Sequence, residues 1–148
     1  MRYLLDTNIL LTYLRDQALS AKIDAQFDPF GSESVPIISV ISIGELRSLA
    51  IRNQWGKPRM KHLDTLLQQL VIADIYVEEI IQLYAEIDAF SQGKHPDKVL
   101  GTSARNMGKN DLWIAATAAA AGLRLLTTDN DFKHLQGVFI DLAEVQYL

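Results

Sequence analysis

The sequence predicts a three-layer α/β domain with a central parallel sheet, and three observations predict it. Short apolar runs alternate with longer stretches of helical apolar spacing along the whole chain. Glycine and proline fall at the joins. Acidic residues recur just beyond the apolar runs. Parallel strands need crossover connections, usually helical, so strands separated by helical stretches point to this layering. The chain's 148 residues suffice for one core, and residues 1–148 are read as one domain.

The elements follow in order. Arg2 to Leu5 reads as a short buried strand, and Ile9, Leu10, Tyr13 and Leu14 have helical spacing. Leu19, Ile23 and Phe27 mark a second helix, stopped at Asp28-Pro29. After a polar loop from Gly31, Pro36 to Val40 is a strand and Ile41 to Asn53 a helix. Gly56-Lys57-Pro58 breaks the chain, with Pro58 suited to a first helical turn, and Leu63, Leu66, Leu67 and Leu70 line the helix that follows. Val71 to Ile75 is a strand, and Val77, Ile80, Ile81, Tyr84 and Ile87 form a stripe ending near Gly93. A polar loop runs to about Lys109. Asn110 then caps an alanine-rich helix to Ala121, and Gly122 suits the left-handed position past its end. Arg124 to Thr127 and Val138 to Ile140 are the last strands.

Composition narrows the chemistry. Hydrophobic residues make up 49% and charged residues 22%, the balance of a soluble globular protein. No apolar run approaches the ~20 residues of a membrane span, and no signal-peptide pattern opens the chain. The absence of cysteine removes disulfides, thiolate zinc sites and cysteine nucleophiles, and fits a cytoplasmic location. A net charge of −4 argues against nucleic-acid binding through a broad basic surface. It leaves room for a metal-dependent nuclease, in which cations face the phosphate across concentrated carboxylates. Residues 94 to 109 carry Lys94, Lys98, Arg105 and Lys109 against Asp97 alone; they form either a local cationic face or an ordinary solvated loop.

In open parallel sheets, ligands sit beyond the carboxyl ends of the strands. Asp6 directly follows the first strand, Asp129 follows Arg124 to Thr127 by one residue, Asp111 opens a helix, and Glu45 lies early in the helix after the second strand. All four are expected on one edge. Carboxylates that close repel unless protons or cations neutralise them. Mg²⁺ prefers oxygen ligands and bridges carboxylates to phosphates, so the cluster points to hydrolysis of a phosphodiester. Each acid also has a plainer reading. Asp6 could cap the next helix, Glu45 could complete a capping box with Ser42, Asp111 could complement the helix dipole, and Asp129 with Asp131 could form a turn. The joint pattern favours the site.

Other reactive types add little. His62, His95 and His134 lack metal-ligand spacing, and Ser39, Ser42, Thr127 and Thr128 have no histidine at motif spacing. No phosphate-cradling glycine motif is present. Trp55 and Trp113 offer base stacking or, more simply, helix packing.

Leu4-Leu5-Asp6-Thr7-Asn8-Ile9-Leu10, Ser39 to Leu46 (SVISIGEL), Asn110 to Ala116 (NDLWIAA) and Leu126 to Phe132 (LTTDNDF) together resemble the four motifs of PIN-domain ribonucleases. The sequence is most similar to VapC-type toxins of toxin–antitoxin pairs, from Met1 to about Phe139. The resemblance implies a PIN-like α/β/α domain, Mg²⁺ dependence with Mn²⁺ as substitute, and RNA as substrate. It also implies a homodimer and a small antitoxin partner. By the same resemblance Asp6, Glu45, Asp111 and Asp129 are the catalytic quartet, with Asp6, Asp111 and Asp129 holding metal and Glu45 acting on water. Asp131 is auxiliary, and Thr7, Asn8 and Thr127 brace the carboxylates. Two other classes stand beside this reading. One is a catalytically silent PIN-fold module that binds RNA or protein. The other is an aspartyl phosphatase, which would want a second acid where Asn8 stands.

Overall fold

A computed structural model of the chain describes residues 1–147. Its strands are β1 (Arg2–Leu5), β2 (Val35–Ser39), β3 (Val71–Ala73), β4 (Arg124–Thr127) and β5 (Asp141–Glu144). Its α-helices are α1 (Thr7–Arg15), α2 (Gln17–Gln26), α3 (Val40–Arg52), α4 (Lys57–Gln68), α5 (Glu78–Ser91) and α6 (Lys109–Ala121), with a 3-10 helix over Asn130–Leu135. The strands form one sheet in the order β3-β2-β1-β4-β5, and every pairing is parallel.

The strands read as unbroken apolar runs because both faces of the sheet are covered. Leu4, Ile37, Leu125 and Leu142 point into a core with Ile87 and Phe90 of α5 and Ile114 of α6. Their neighbours Tyr3, Leu5, Ile38, Leu126 and Ala143 point the opposite way. There they meet Ile9 and Leu10 of α1, Ile23 of α2, Leu46 of α3 and Leu63 of α4. The period-two alternation of a strand thus feeds two cores, one per face, and the three layers follow.

Two joins show why the chain turns where it does. Gly122 takes φ 62°, ψ 37° past the end of α6, and its N–H closes on Ala118 O. Asp28 takes φ 45° beyond α2, just before Pro29. Pro58 lies in the first turn of α4, where a missing N–H costs nothing.

Three expectations need correction. Val138 to Ile140 is not the last strand: Gly137 turns at φ 76°, and the N–H groups of Val138, Phe139 and Ile140 all converge on Leu135 O. A segment whose donors share one carbonyl has none left for a ladder, and pairing with β4 starts at Asp141. Second, α6 begins at Lys109 with Gly108 as its cap, so Asn110 lies inside the first turn. Third, Ser42 and Glu45 form no capping box, because α3 is capped by Ser39, whose Oγ accepts the Ile41 N–H at 3.1 Å. No helix among the described residues is long and apolar enough to cross a membrane.

The strand order places the site. From β1 the chain moves outward to β2 and β3, then returns to add β4 and β5 on the other side. Neighbouring connections therefore leave β1 and β4 in opposite directions, and a crevice opens between their carboxyl ends.

Candidate metal centre

Asp6 sits at that crevice. Its backbone N–H donates to Leu126 O at 3.0 Å, which extends the β1–β4 ladder by one residue and fixes the direction of its side chain. The carboxylate is 4% exposed. Oδ1 accepts the Thr7 N–H at 2.8 Å, and Oδ2 accepts the Thr127 hydroxyl at 2.8 Å. Burial pushes the Asp6 carboxyl up to about 6, against the pull of those two hydrogen bonds; the charges of Asp129 and Glu45 push the same way as burial. The helix-capping reading of Asp6 is correct, since this carboxylate caps α1. Capping and site are compatible roles.

Thr127, at the end of β4, joins two acids. Its Oγ1 donates to Asp6 and accepts the Asp129 N–H at 2.9 Å. Asp129 in turn caps the 3-10 helix, with Oδ1 accepting the Asp131 N–H at 2.9 Å. Across the crevice Thr7 braces Glu45. Its Oγ1 lies 2.7 Å from Glu45 Oε1 and 2.8 Å from Ser42 Oγ. One hydroxyl carries one proton, so Thr7 donates to the carboxylate and accepts from Ser42.

Asp111, in the first turn of α6, completes the group. Its carboxyl is pushed up to about 7, first by burial and then by the charges of Asp6, Asp129, Glu45 and Asp131. Asp129 and Glu45 therefore lie within electrostatic reach of both Asp6 and Asp111. One carboxylate oxygen each from Asp111, Asp129 and Asp131 lies within 4.8 Å of the others. Asp131, expected only as an auxiliary, belongs to this trio, whereas Asp6, expected as a metal ligand, lies outside it and is joined to Asp129 through the Thr127 hydroxyl.

The structure does not bring the Asn8 amide to a carboxylate. Its Oδ1 is buried and has no hydrogen-bond partner. Ser42 is the brace that sequence reading assigned to a cap; its spacing of three from Glu45 on one helix face was the available signal. Two of the histidines make hydrogen bonds within the fold. His134 Nε2 lies 2.7 Å from Ser91 Oγ, and His95 Nε2 lies 3.2 Å from Glu86 Oε1. Trp113 packs on Tyr84 with ring centroids 4.3 Å apart.

The donor set fits a hard divalent cation. Every candidate ligand is a carboxylate oxygen, with no imidazole or thiolate in the trio. Two carboxyls held near neutral pH by burial and mutual repulsion mark a place where added positive charge is stabilising.

Comparison with known proteins gives consistent results. The sequence profile of the PIN domain family matches residues 3–138. The chain is 29% identical over 101 residues to Ribonuclease VapC4 of Mycobacterium tuberculosis, a match covering 68% of this chain and 72% of that relative. In fold it resembles VapBC2 from Rickettsia felis bound to a DNA fragment from their promoter. There the TM-score is 0.72 at 22% identity, over 99% of this chain and 100% of that one. It also resembles a toxin–antitoxin complex from Klebsiella pneumoniae, with TM-score 0.68 at 18% identity over 99% of both chains.

Proposed function

The chain belongs to the PIN-domain family, and from that premise we propose that it is a divalent-metal-dependent endoribonuclease, the toxin of a toxin–antitoxin pair. The observation that carries this reading is the convergence of Asp6, Glu45, Asp111, Asp129 and Asp131 at the carboxyl ends of β1 and β4. Mg²⁺, or Mn²⁺ in its place, would be held by Asp6, Asp111 and Asp129, with Asp131 beside them. When bound it would supply charge neutralisation at the phosphodiester and acidify a coordinated water.

The protein's own contribution is placement. Glu45 has Oε1 tied to Thr7. Its other oxygen, Oε2, would take the proton of the attacking water as the new P–O bond forms; the ester P–O bond breaks and the leaving ribose oxygen takes a proton from solvent. Thr127 holds Asp6 and Asp129 in fixed relation, so the two carboxylates need no reorganisation when a cation arrives. Ser42 keeps the Thr7 hydroxyl turned toward Glu45. Residues 1–148 act as one nuclease domain in the cytoplasm, as a homodimer silenced by a small antitoxin protein.

The test is cleavage of RNA by the purified protein with Mg²⁺ or Mn²⁺, with and without excess chelator. Cleavage should require the metal, and Asp6→Asn should abolish it while preserving the circular dichroism spectrum. RNA left intact by a folded, metal-saturated protein would defeat the proposal.

A further inference from the structure

Arg105 stands in an unusual position for a cation. It lines a cavity of about 280 Å³ together with Asn106, Met107, Gly108 and Asp131. Asp131 belongs to the carboxylate trio, so this cavity opens directly beside the candidate metal centre. Among the described residues the ion pairs are His95–Glu86, Arg124–Asp141 and Lys133–Glu144, and Arg105 enters none of them. Its Nε is buried without a hydrogen-bond partner. A buried guanidinium donor with no acceptor is costly, and an anion bound at the partly exposed remainder of the side chain would offset that cost through charge.

The segment that carries it is held in place. The Arg105 backbone N–H donates to Ser91 O at 2.9 Å, where α5 ends. Two residues on, buried Met107 accepts the Ser91 hydroxyl on Sδ at 3.3 Å. The guanidinium also lies close enough to His134 for its charge to help hold that imidazole below its ordinary pKa, after burial as the larger cause. The backbone that carries Arg105 is therefore anchored at one flank of a strongly negative edge. The other flank holds a second cavity of about 300 Å³, lined by Glu45, Ser48, Arg52 and Asn110 over Gly44. A Cβ added at Gly44 would meet nothing within 4 Å, so the backbone is open to an approaching strand.

We propose that Arg105 is a phosphate-binding residue of the substrate track, engaging an RNA phosphate adjacent to the one cleaved. This inference rests on the ribonuclease reading above. The planar guanidinium suits bidentate contact with phosphate oxygens. Its place in the cavity shared with Asp131 would let the guanidinium hold the neighbouring phosphate while a cation neutralises the one cleaved.

The experiment uses the full chain with Ca²⁺ in place of Mg²⁺ and a short fluorescein-labelled RNA, checked on a gel to be uncut. Affinity is measured by anisotropy across a salt series for the native protein, Arg105→Ala and Arg105→Lys. Arg105→Ala should weaken binding about tenfold or more, the worth of a charge-assisted hydrogen bond. It should also flatten the salt slope by about 0.7, the release from one single-strand phosphate. Arg105→Lys should keep the slope and lose part of the affinity. With Mg²⁺, Arg105→Ala should raise KM and leave kcat within about twofold of native. Affinity and slope unchanged in Arg105→Ala, beside a native protein that does cleave RNA, would overturn this assignment and spare the ribonuclease reading. A lowered melting temperature with a weakened Mn²⁺ response in both variants would overturn it too, by making Arg105 a structural partner of Asp131. Failure of the native protein to cleave RNA at all would instead strike the parent reading.

Discussion

Asp111→Asn should make the metal-free protein more stable while destroying its activity. The carboxyl is pushed up to about 7 from 3.8, by burial first and by four neighbouring carboxylates after it. At 1.36 kcal/mol per tenfold change, that difference corresponds to at most about 4 kcal/mol against the ionised folded state. The side chain is partly exposed, and screening by solvent reduces this to about 2 kcal/mol. In a chain of this length, 1 kcal/mol moves the melting temperature by about 3 °C. The variant should therefore melt about 6 °C higher than the native protein in chelator at pH 8. The pH dependence has a definite sign. The folded-state pKa lies above the unfolded one, so the penalty is complete above about pH 7 and disappears as pH falls toward 4, where both states are protonated. The gain from Asn should shrink accordingly. Saturating Mn²⁺ should reverse the order: a cation at one hundred times its dissociation constant adds about 2.7 kcal/mol to the native protein, and little to a variant lacking a ligand. Differential scanning calorimetry at pH 8 and pH 5, with chelator or Mn²⁺, reads all of this. Equal melting of the two proteins in chelator, or an equal Mn²⁺ response, would refute the reasoning.

Thr127→Val removes the hydroxyl that joins Asp129 N–H to Asp6 Oδ2; kcat for RNA should fall about 10- to 100-fold, and Thr127→Ser should restore most of it. The same substitution should cost about 1–3 kcal/mol in urea unfolding, from the unsatisfied buried groups. Ser42→Ala releases the Thr7 hydroxyl from its donor, and single-turnover cleavage should slow several-fold with Mn²⁺ affinity by calorimetry unchanged. Gly122→Ala places a side chain at φ 62° in open space, which should lower stability by about 1 kcal/mol in urea unfolding and leave the cleavage rate as it was.

The parts of the molecule that were legible in sequence are those whose residues answer to one dominant force. Leu4, Leu5, Leu125 and Leu126 are fully buried, and their runs announced β1 and β4 because both sheet faces needed apolar cover. The acids at the ends of those strands followed from topology. What was hidden depends on contacts between distant segments. β5 has Asp141 and Glu144 at its ends and only Leu142 and Ala143 to bury, so Val138 to Ile140 looked the better strand; a turn gathering three N–H groups on Leu135 O took that segment instead. Ser42 has a partner on α1, 35 residues away, which local spacing cannot disclose. Asp131 gained its place in the trio from the 3-10 helix that Asp129 caps, a conformation with no periodic signature. The cationic loop at 94 to 109 also resolved only in three dimensions: Lys98 lies over the Phe139 ring, and Arg105 lines a cavity that Asp131 shares.

A crystal of the protein soaked in Mn²⁺ and measured at the manganese absorption edge addresses the metal centre most directly. An anomalous peak should lie among carboxylate oxygens of Asp6, Asp111 and Asp129, and vanish in Asp111→Asn crystals. A saturated crystal with no peak there, or with manganese bound only elsewhere on the chain, would contradict the assignment of this edge of the sheet as a cation site.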